Sequence, residues 1–243
     1  MEISILKIVI INGSPRKGNT YKATKLFADE MKRYGDIEYT KFFLPKDLPE
    51  FCMGCISCFE NGEQTCPHSE YTLPILESLL IADAIIFTTP VYVLQSSGAV
   101  KSFLDHFGFM FIVHRARPEM FSKKAFIIST TAGAGTKQAM KTISTSLKYW
   151  GVNRVYSIGF PLHEVSWDKM KPKRMEKFER KIQSSAKRFY REVSSGKKHA
   201  PYLMTRLMFY FIRTLIKGYD NTNSLALDKK YWEEQNWFSK NPF

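Results

Sequence analysis

Residues 7–20 read KIVIINGSPRKGNT. Ile8 to Ile11 is an unbroken β-branched run, the pattern of a strand buried on both faces in a parallel sheet. The chain then breaks into small and polar residues from Gly13 to Thr20. From Tyr21 to Tyr34, Ala23, Leu26, Phe27, Glu30 and Met31 recur at helical spacing. Strand, small-residue loop and helix start together make a phosphate site. The first N–H groups of a helix have no partner within it, and the positive end of the dipole faces the anion. Ser14, Asn19 and Thr20 add short donors, Gly18 leaves room, and Arg16 adds charge. The glycine spacing is not the G-x-G-x-x-G of a dinucleotide site. Gly13-x4-Gly18 approaches a triphosphate loop, but Asn19-Thr20 stands where that loop needs Lys and then Ser or Thr. A monophosphate, which needs no such lysine, is the better fit. An ordinary strand–turn–helix with no ligand is the plain alternative.

Working outward, Ile37 to Phe43 reads as a second strand and Pro45 to Glu70 as a long loop holding every cysteine. Tyr71 to Ile81 is a helix with Pro74 in its first turn, where proline is tolerated. Ala84 to Thr89 (AIIFTT) is a third buried strand, followed by Pro90-Val91-Tyr92-Val93 and a helix from Gly98 to Phe107. Phe109 to Phe121 is an irregular insertion carrying the basic residues His114, Arg115 and Arg117. Lys124 to Thr130 is a fourth strand that opens into a second small-residue loop, Thr131-Ala132-Gly133-Ala134-Gly135. A helix over Thr136 to Trp150 stops at Gly151, and Arg154 to Gly159 is a fifth strand. Strands alternating with helices across short loops predict an α/β, doubly wound parallel sheet. In such sheets ligands sit beyond the carboxyl ends of the strands, where the loops after strands one, three and four would meet.

Those three loops together resemble the flavodoxin-like, NADPH-dependent FMN reductase family. The resemblance rests on Gly13 to Thr20, on Thr89-Pro90-Val91-Tyr92 with Ser97-Gly98, Lys101, Phe103 and Asp105, and on Thr131 to Gly135. It covers about Lys7 to Phe160. It implies a five-stranded sheet of order 2-1-3-4-5, a non-covalent FMN and NAD(P)H as co-substrate. By the same resemblance, Ser14, Arg16, Gly18, Asn19 and Thr20 hold the FMN phosphate. Pro90, Val91, Tyr92, Val93, Thr131, Ala132, Gly133 and Gly135 run along the ring. Family members often carry Gly at the position of Val93, and Asp105-His106 stands where Asp-Arg is common. Hydride passes from nicotinamide to flavin without a side-chain acid or base, so no catalytic residue is named.

All four cysteines fall in fifteen residues: Cys52, Cys55, Cys58 and Cys66. C-x2-C-x2-C turns successive thiolates toward one centre. The spacing resembles the compact cysteine motif of iron-sulfur flavoproteins, which implies these four as ligands of a [4Fe–4S] cluster passing single electrons to the flavin. Zinc and free redox-active thiols remain alternatives, whereas stable disulfides do not suit a reducing compartment. His68 nearby reads as a surface residue.

The chain has 243 residues, 44% of them hydrophobic, enough for a substantial core. Met1 to Ser4 carries no basic run, and no stretch of about 20 apolar residues follows, so neither an export signal nor a spanning helix is expected and a cytoplasmic location is. The formal charge is +13, and Lys169 to Lys217 holds fifteen Lys/Arg against three Glu, nearly all of that excess. The charge therefore describes a C-terminal region and, with no accompanying motif, not a nucleic-acid-binding body. Two parts are expected: residues 1–160 as the FMN-binding domain with the cysteine loop at 45–70, and residues 161–243 as a basic, helical, aromatic extension. Lys169 to Ser195 reads as a charged helix with a largely solvated face. Tyr202 to Lys217 is a strongly apolar helix that packs on the body, on a subunit partner in a homodimer or homotetramer, or peripherally on a membrane. The aromatic tail Tyr231 to Phe243 reads as a clamp on a neighbouring subunit. The function expected is an FMN-dependent NAD(P)H oxidoreductase, the alternative an electron carrier fed by ferredoxin.

Overall fold

The strands β1 (Leu6–Asn12), β2 (Ile37–Phe43), β3 (Ala84–Pro90), β4 (Lys124–Thr131) and β5 (Arg154–Pro161) form one parallel sheet of order β2-β1-β3-β4-β5. The computed structural model describes residues 5–164, 166–219 and 225–243, so the stretch Met1 to Ser4 lies outside the described residues. Side chains alternate across each strand, which splits the core into two layers. Val9, Ile11, Ile85, Phe87 and Ile127 face α3 (Ser69–Ile81), α4 (Gly98–His106) and α5 (Thr136–Tyr149). Ile8, Ile10, Ile86, Phe126 and Ile128 face the other way, toward α1 (Asn19–Lys32) and α6 (Pro172–Ser194). The continuous apolar runs of β1 and β3 follow from this, since both faces of a central parallel strand are covered. Gly151, at φ +95°, ends α5 as expected, with its N–H on Lys148 O and that of Val152 on Leu147 O.

The C-terminal third differs from its sequence reading in two ways. α6 keeps the largely solvated face expected of it but also carries a buried stripe. Ile182, Ala186, Phe189 and Val193 are buried, and the Phe189 ring lies 5.2 Å from Phe126 and 6.1 Å from Phe27. These residues recur at helical spacing, and they let a helix dense in charge complete the second face of the sheet. The aromatic tail does not reach outward. Trp232 on α8 (Ala226–Glu234) and Trp237 are buried with Phe209 and Ile216 of α7 (Leu203–Lys217) against Ile112 and Phe121 of the insertion after α4. Trp232 stacks on Phe209 at 4.8 Å, and its indole N–H donates to His114 O at 2.6 Å. α7 puts this face inward and leaves Leu203, Met204, Leu207, Phe211 and Leu215 exposed. The segment before α7 is tied to the edge strand, where Val155 N–H donates to Tyr202 Oη at 3.1 Å. No helix among the described residues is long and apolar enough to cross a membrane.

Candidate functional site

The loop after β1 is locked before it can bind anything. Gly13 N–H donates to Thr88 O at 2.8 Å, and Gly13 O accepts from Ser97 Oγ at 2.7 Å. A Cβ on Gly13 would stand 2.4 Å from Val100 Cγ2 and 2.5 Å from Thr88 O, so only glycine lets β1 and β3 close here. Ser97 also caps α4, accepting from Val100 N–H, and its own N–H is held by Thr89 Oγ1 at 3.1 Å. At the other end of the loop, Gly18 precedes α1, and no side chain caps this helix start. A Cβ on Gly18 would meet no atom within 4 Å. The result is a helix N-terminus facing open space, flanked by Ser14 and Arg16: a fitting cradle for a phosphate. Asn19 Oδ1 accepts from Trp167 N–H at 2.7 Å, which ties the cradle to the segment after β5.

The three loops expected to meet do so. Ser14, Arg16, Gly18, Asn19, Thr20, Pro90, Val91, Tyr92, Thr131 and Ala132 line one cavity of about 200 Å³ at the carboxyl edge of the sheet. Thr20 Oγ1 and Thr130 Oγ1, 110 residues apart in sequence, hydrogen-bond at 2.6 Å across its floor. Thr130 and Glu164 also line it. Sequence reading missed both: Thr130 looked like an ordinary strand residue, and Glu164 lies in a segment with no motif. Three expected ring neighbours do not line this cavity. Val93 is 96% exposed at the tip of a tight turn closed by Tyr92 and Gln95, whose backbone N–H groups each donate to the other's carbonyl at 3.0 Å. Val93 and Leu94 both take positive φ there, 49° and 64°, a conformation that a β-branched residue resists. Gly135, at φ +101°, serves packing instead: a Cβ on it would stand 2.8 Å from Val91 Cγ1 and 2.9 Å from Leu94 Cα. Gly133 N–H donates to Thr131 Oγ1, turning that loop back on itself.

The four cysteines line a second cavity, of about 340 Å³, together with Pro67, His68 and His106. Gly54 at φ +65° and Ile56 at φ +55° turn the backbone on either side of the exposed Cys55, and a short helix, α2 (Ser57–Glu60), carries Cys58. All four thiols are free. Burial, and then the neighbouring Cys66, Cys52 and Cys55 sulfurs, push the Cys58 thiol up to about 11. Burial likewise raises Cys66, opposed by an N–H from His68. The Arg115 charge opposes that rise at Cys58 only weakly, and a cationic iron or zinc centre bound there would reverse it. The donor set of four thiols on one cavity fits a cysteine-ligated centre. His68 is not a loose surface residue: its Nδ1 lies 3.0 Å from His106 Nε2, while His106 Nδ1 lies 2.9 Å from Ser102 O. The Ser102 carbonyl can only accept, so His106 Nδ1 carries the proton and its Nε2 accepts from His68 Nδ1–H. Burial keeps His106 below the ordinary imidazole range, consistent with a neutral ring.

The two cavities lie at opposite ends of α4. Ser97 at its start touches the phosphate loop, and Asp105 and His106 at its end line the cysteine cavity. Nine residues of helix, about 13 Å, separate them. The insertion expected to display a basic patch buries it: Arg115 is 3% exposed and pairs with the fully buried Asp228.

A family model describing NADPH-dependent FMN reductases matches residues 6–164. An iron-sulfur flavoprotein of Clostridioides difficile is 27% identical over 237 residues, 94% of this chain and 98% of that protein. One from Archaeoglobus fulgidus is 27% identical over 233 residues, covering 95% and 99%. An NADPH azoreductase of a Bacillus species is 27% identical over 143 residues, covering 58% and 68%. Among solved structures, an azoreductase from Bacillus anthracis superposes with a TM-score of 0.59 at 14% identity, over 77% of this chain and 100% of that one. An NAD(P)H:quinone oxidoreductase from Methanothermobacter marburgensis gives a TM-score of 0.58 at 14% identity, over 81% and 100%, which supports the fold.

Proposed function

The chain belongs to the NADPH-dependent FMN reductase family, and on that footing we propose that the cavity behind the loops after β1, β3 and β4 holds FMN in an NAD(P)H oxidoreductase that also carries a [4Fe–4S] cluster on Cys52, Cys55, Cys58 and Cys66. One observation carries the flavin reading: ten residues named from three separate loops line a single cavity with an uncapped helix start at one end. Bound FMN would supply a ring that accepts a hydride from nicotinamide and releases electrons singly or in pairs. The chain's own part is placement. Ser14, Arg16 and the first turn of α1 would hold the phosphate, and the Thr20–Thr130 hydrogen bond would fix the distance between two walls. Pro90, Val91, Tyr92, Thr131 and Ala132 would border the ring, with Tyr92 half exposed at the mouth. The Val93 turn and Gly135 would act one step away, by bracing the loop that carries Val91.

For the cysteines, four thiols on one cavity and two relatives that bear the iron-sulfur flavoprotein name over nearly their whole length support a cluster, which would exchange single electrons. A mononuclear metal is the second reading, because Cys66, His68 and His106 bring ligand atoms within 4.8 Å of one another. It is the weaker one: both His106 nitrogens are already engaged, so ligation would break the His68–His106 bond. An absorption spectrum with iron, sulfide and zinc analysis on protein purified without oxygen decides among these. Flavin with about four irons per chain is expected. Flavin with zinc or no metal refutes the cluster, and protein unable to bind FMN refutes the whole reading. Steady-state oxidation of NADPH against NADH then ranks the donors.

A further inference from the structure

Arg115 and Asp228 come from parts of the chain 113 residues apart, and both are out of water, at 3% and 0% exposure. Burying such a pair is costly unless every donor and acceptor finds a partner. Here they do. Asp228 Oδ1 accepts from Arg115 Nη1, and Asp228 Oδ2 faces His114 Nδ1 at 2.7 Å. The rest of the Arg115 fork is spent on the cysteine loop. Nη1 donates to Phe59 O at 3.1 Å and Nη2 to Cys58 O. Those carbonyls belong to the end of α2, a four-residue helix. A helix that short does not hold itself, and its last carbonyls have no partner within it. A guanidinium there satisfies them and complements the negative end of the turn.

We propose that Arg115 and Asp228 are a positioning pair through which the C-terminal helix α8 holds the Cys58 backbone, so that the C-terminal extension is a structural part of the cysteine site. The pair's hydrogen bonds to the cysteine loop go to backbone carbonyls, so it sets the direction in which Cys58 points; the Arg115 charge also favours the Cys58 thiolate, and losing it would slow alkylation, against the rise expected below. Asp228 is in turn held in place by α8, whose Trp232 is anchored to His114 O and Tyr231 to Ala116 O at 2.7 Å. Where Cys58 ligates a cluster, this inference rests on the cluster reading; where it does not, the placement of Cys58 is still set by the pair.

The test uses the full chain with its FMN and the double variant Arg115→Met/Asp228→Leu, which removes both charges together and so leaves no buried ion unpaired. Two readouts are taken. One is the rate at which Cys58 is alkylated in metal-free protein, mapped by mass spectrometry, with the exposed Cys55 as internal control. The other is the rate of iron loss to a chelator. Cys58 alkylation is expected to rise about tenfold with Cys55 and FMN content unchanged, and iron loss to accelerate about tenfold, as for other groups that orient ligands. Equal Cys58 rates in variant and parent overturn the proposal. If the parent binds no iron, the cluster reading falls while the alkylation result still decides the positioning claim. If the double variant loses FMN and melts early, Arg115→Lys decides instead: it keeps the charge, but one nitrogen on a shorter stem cannot occupy both Nη positions and serve Cys58 O, Phe59 O and Asp228 together, so Cys58 should again be exposed selectively. A parent-like Cys58 rate in that variant overturns the proposal.

Discussion

Gly13→Ala should lose stability and Gly18→Ala should lose flavin, although the two residues sit in one loop. At Gly13 the new methyl would meet Val100 Cγ2 at 2.4 Å and Thr88 O at 2.5 Å. It cannot retreat, because Gly13 N–H is bonded to that same Thr88 O and Gly13 O to Ser97 Oγ. Overpacking of this kind costs about 1–3 kcal/mol, and losing one of the two hydrogen bonds adds about 1 kcal/mol. A total near 3 kcal/mol at about 3 °C per kcal/mol for a chain of this size predicts a melting temperature about 9 °C lower. At Gly18 a methyl meets nothing within 4 Å, and φ is −84°, open to any residue. The cost to the empty protein is then the weaker helix start alone, about 0.5 kcal/mol. The same methyl fills the space where the phosphate would rest, so FMN affinity should fall about tenfold, equivalent to about 1.4 kcal/mol. Thermal melts of apo-protein and fluorescence titration with FMN separate the two effects. A Gly13→Ala protein that melts within about 2 °C of the parent, or a Gly18→Ala protein that binds FMN as tightly as the parent, would refute the division.

Three further outcomes are expected. Val93→Gly should raise stability by about 0.5–1 kcal/mol, because relief of the left-handed conformation exceeds the entropy glycine loses on folding and a side chain this exposed gives up no packing; a denaturant midpoint at or below the parent's counts against a strained turn. Trp232→Ala should cost about 3–5 kcal/mol, read by urea unfolding, since it empties a fully buried site and strips His114 O of its donor; a loss under about 1 kcal/mol would mean the tail is not packed as described. Lys123 is buried and pushed down to about 8 by that burial, against the pull of the Glu119 and Asp83 charges, while its Nζ meets the carbonyls of Leu80 and Ala82. Between about pH 8 and its ordinary value near 10.5 the unfolded chain holds a proton that the folded one has released, so Lys123 costs stability below pH 8 and the cost fades as pH rises through this window. Lys123→Met should therefore gain most over the parent at neutral pH and lose that advantage by pH 10.5; a stability difference flat across the window would show that Lys123 stays protonated throughout.

Much of the fold and half of the candidate site can be read from contiguous residues. Strands β1, β3 and β4 announce themselves because both of their faces are covered, which leaves no polar alternation to confuse them. The phosphate cradle is legible because its donors and its helix start lie within eight residues. Ring neighbours were less so. Val93 and Gly135 lie next to residues that line the cavity, yet one is turned outward by a tight reversal and the other is used for packing. Neighbourhood in sequence placed them at the site, and backbone dihedrals decided what they do there. His68 went the same way: its partner His106 is 38 residues distant, and no local pattern announces the pair.

By itself, the sequence determined that a parallel sheet would carry a small-residue loop and a helix start at its edge, and that four cysteines would gather in one loop. Both depend on short-range periodicity and on turns that a few residues impose. The tertiary structure alone decided where the charge and the aromatics of the second half would go. Arg115 reads as part of a basic patch until Asp228 is found to be its partner, and the buried stripe of α6 and the inward packing of the tryptophan tail show only once the surfaces they cover are known. Burial free energy belongs to pairs of surfaces, not to single segments. A stretch of chain can show that it has an apolar face or an ion to hide, but the partner that hides it is chosen by the folded whole.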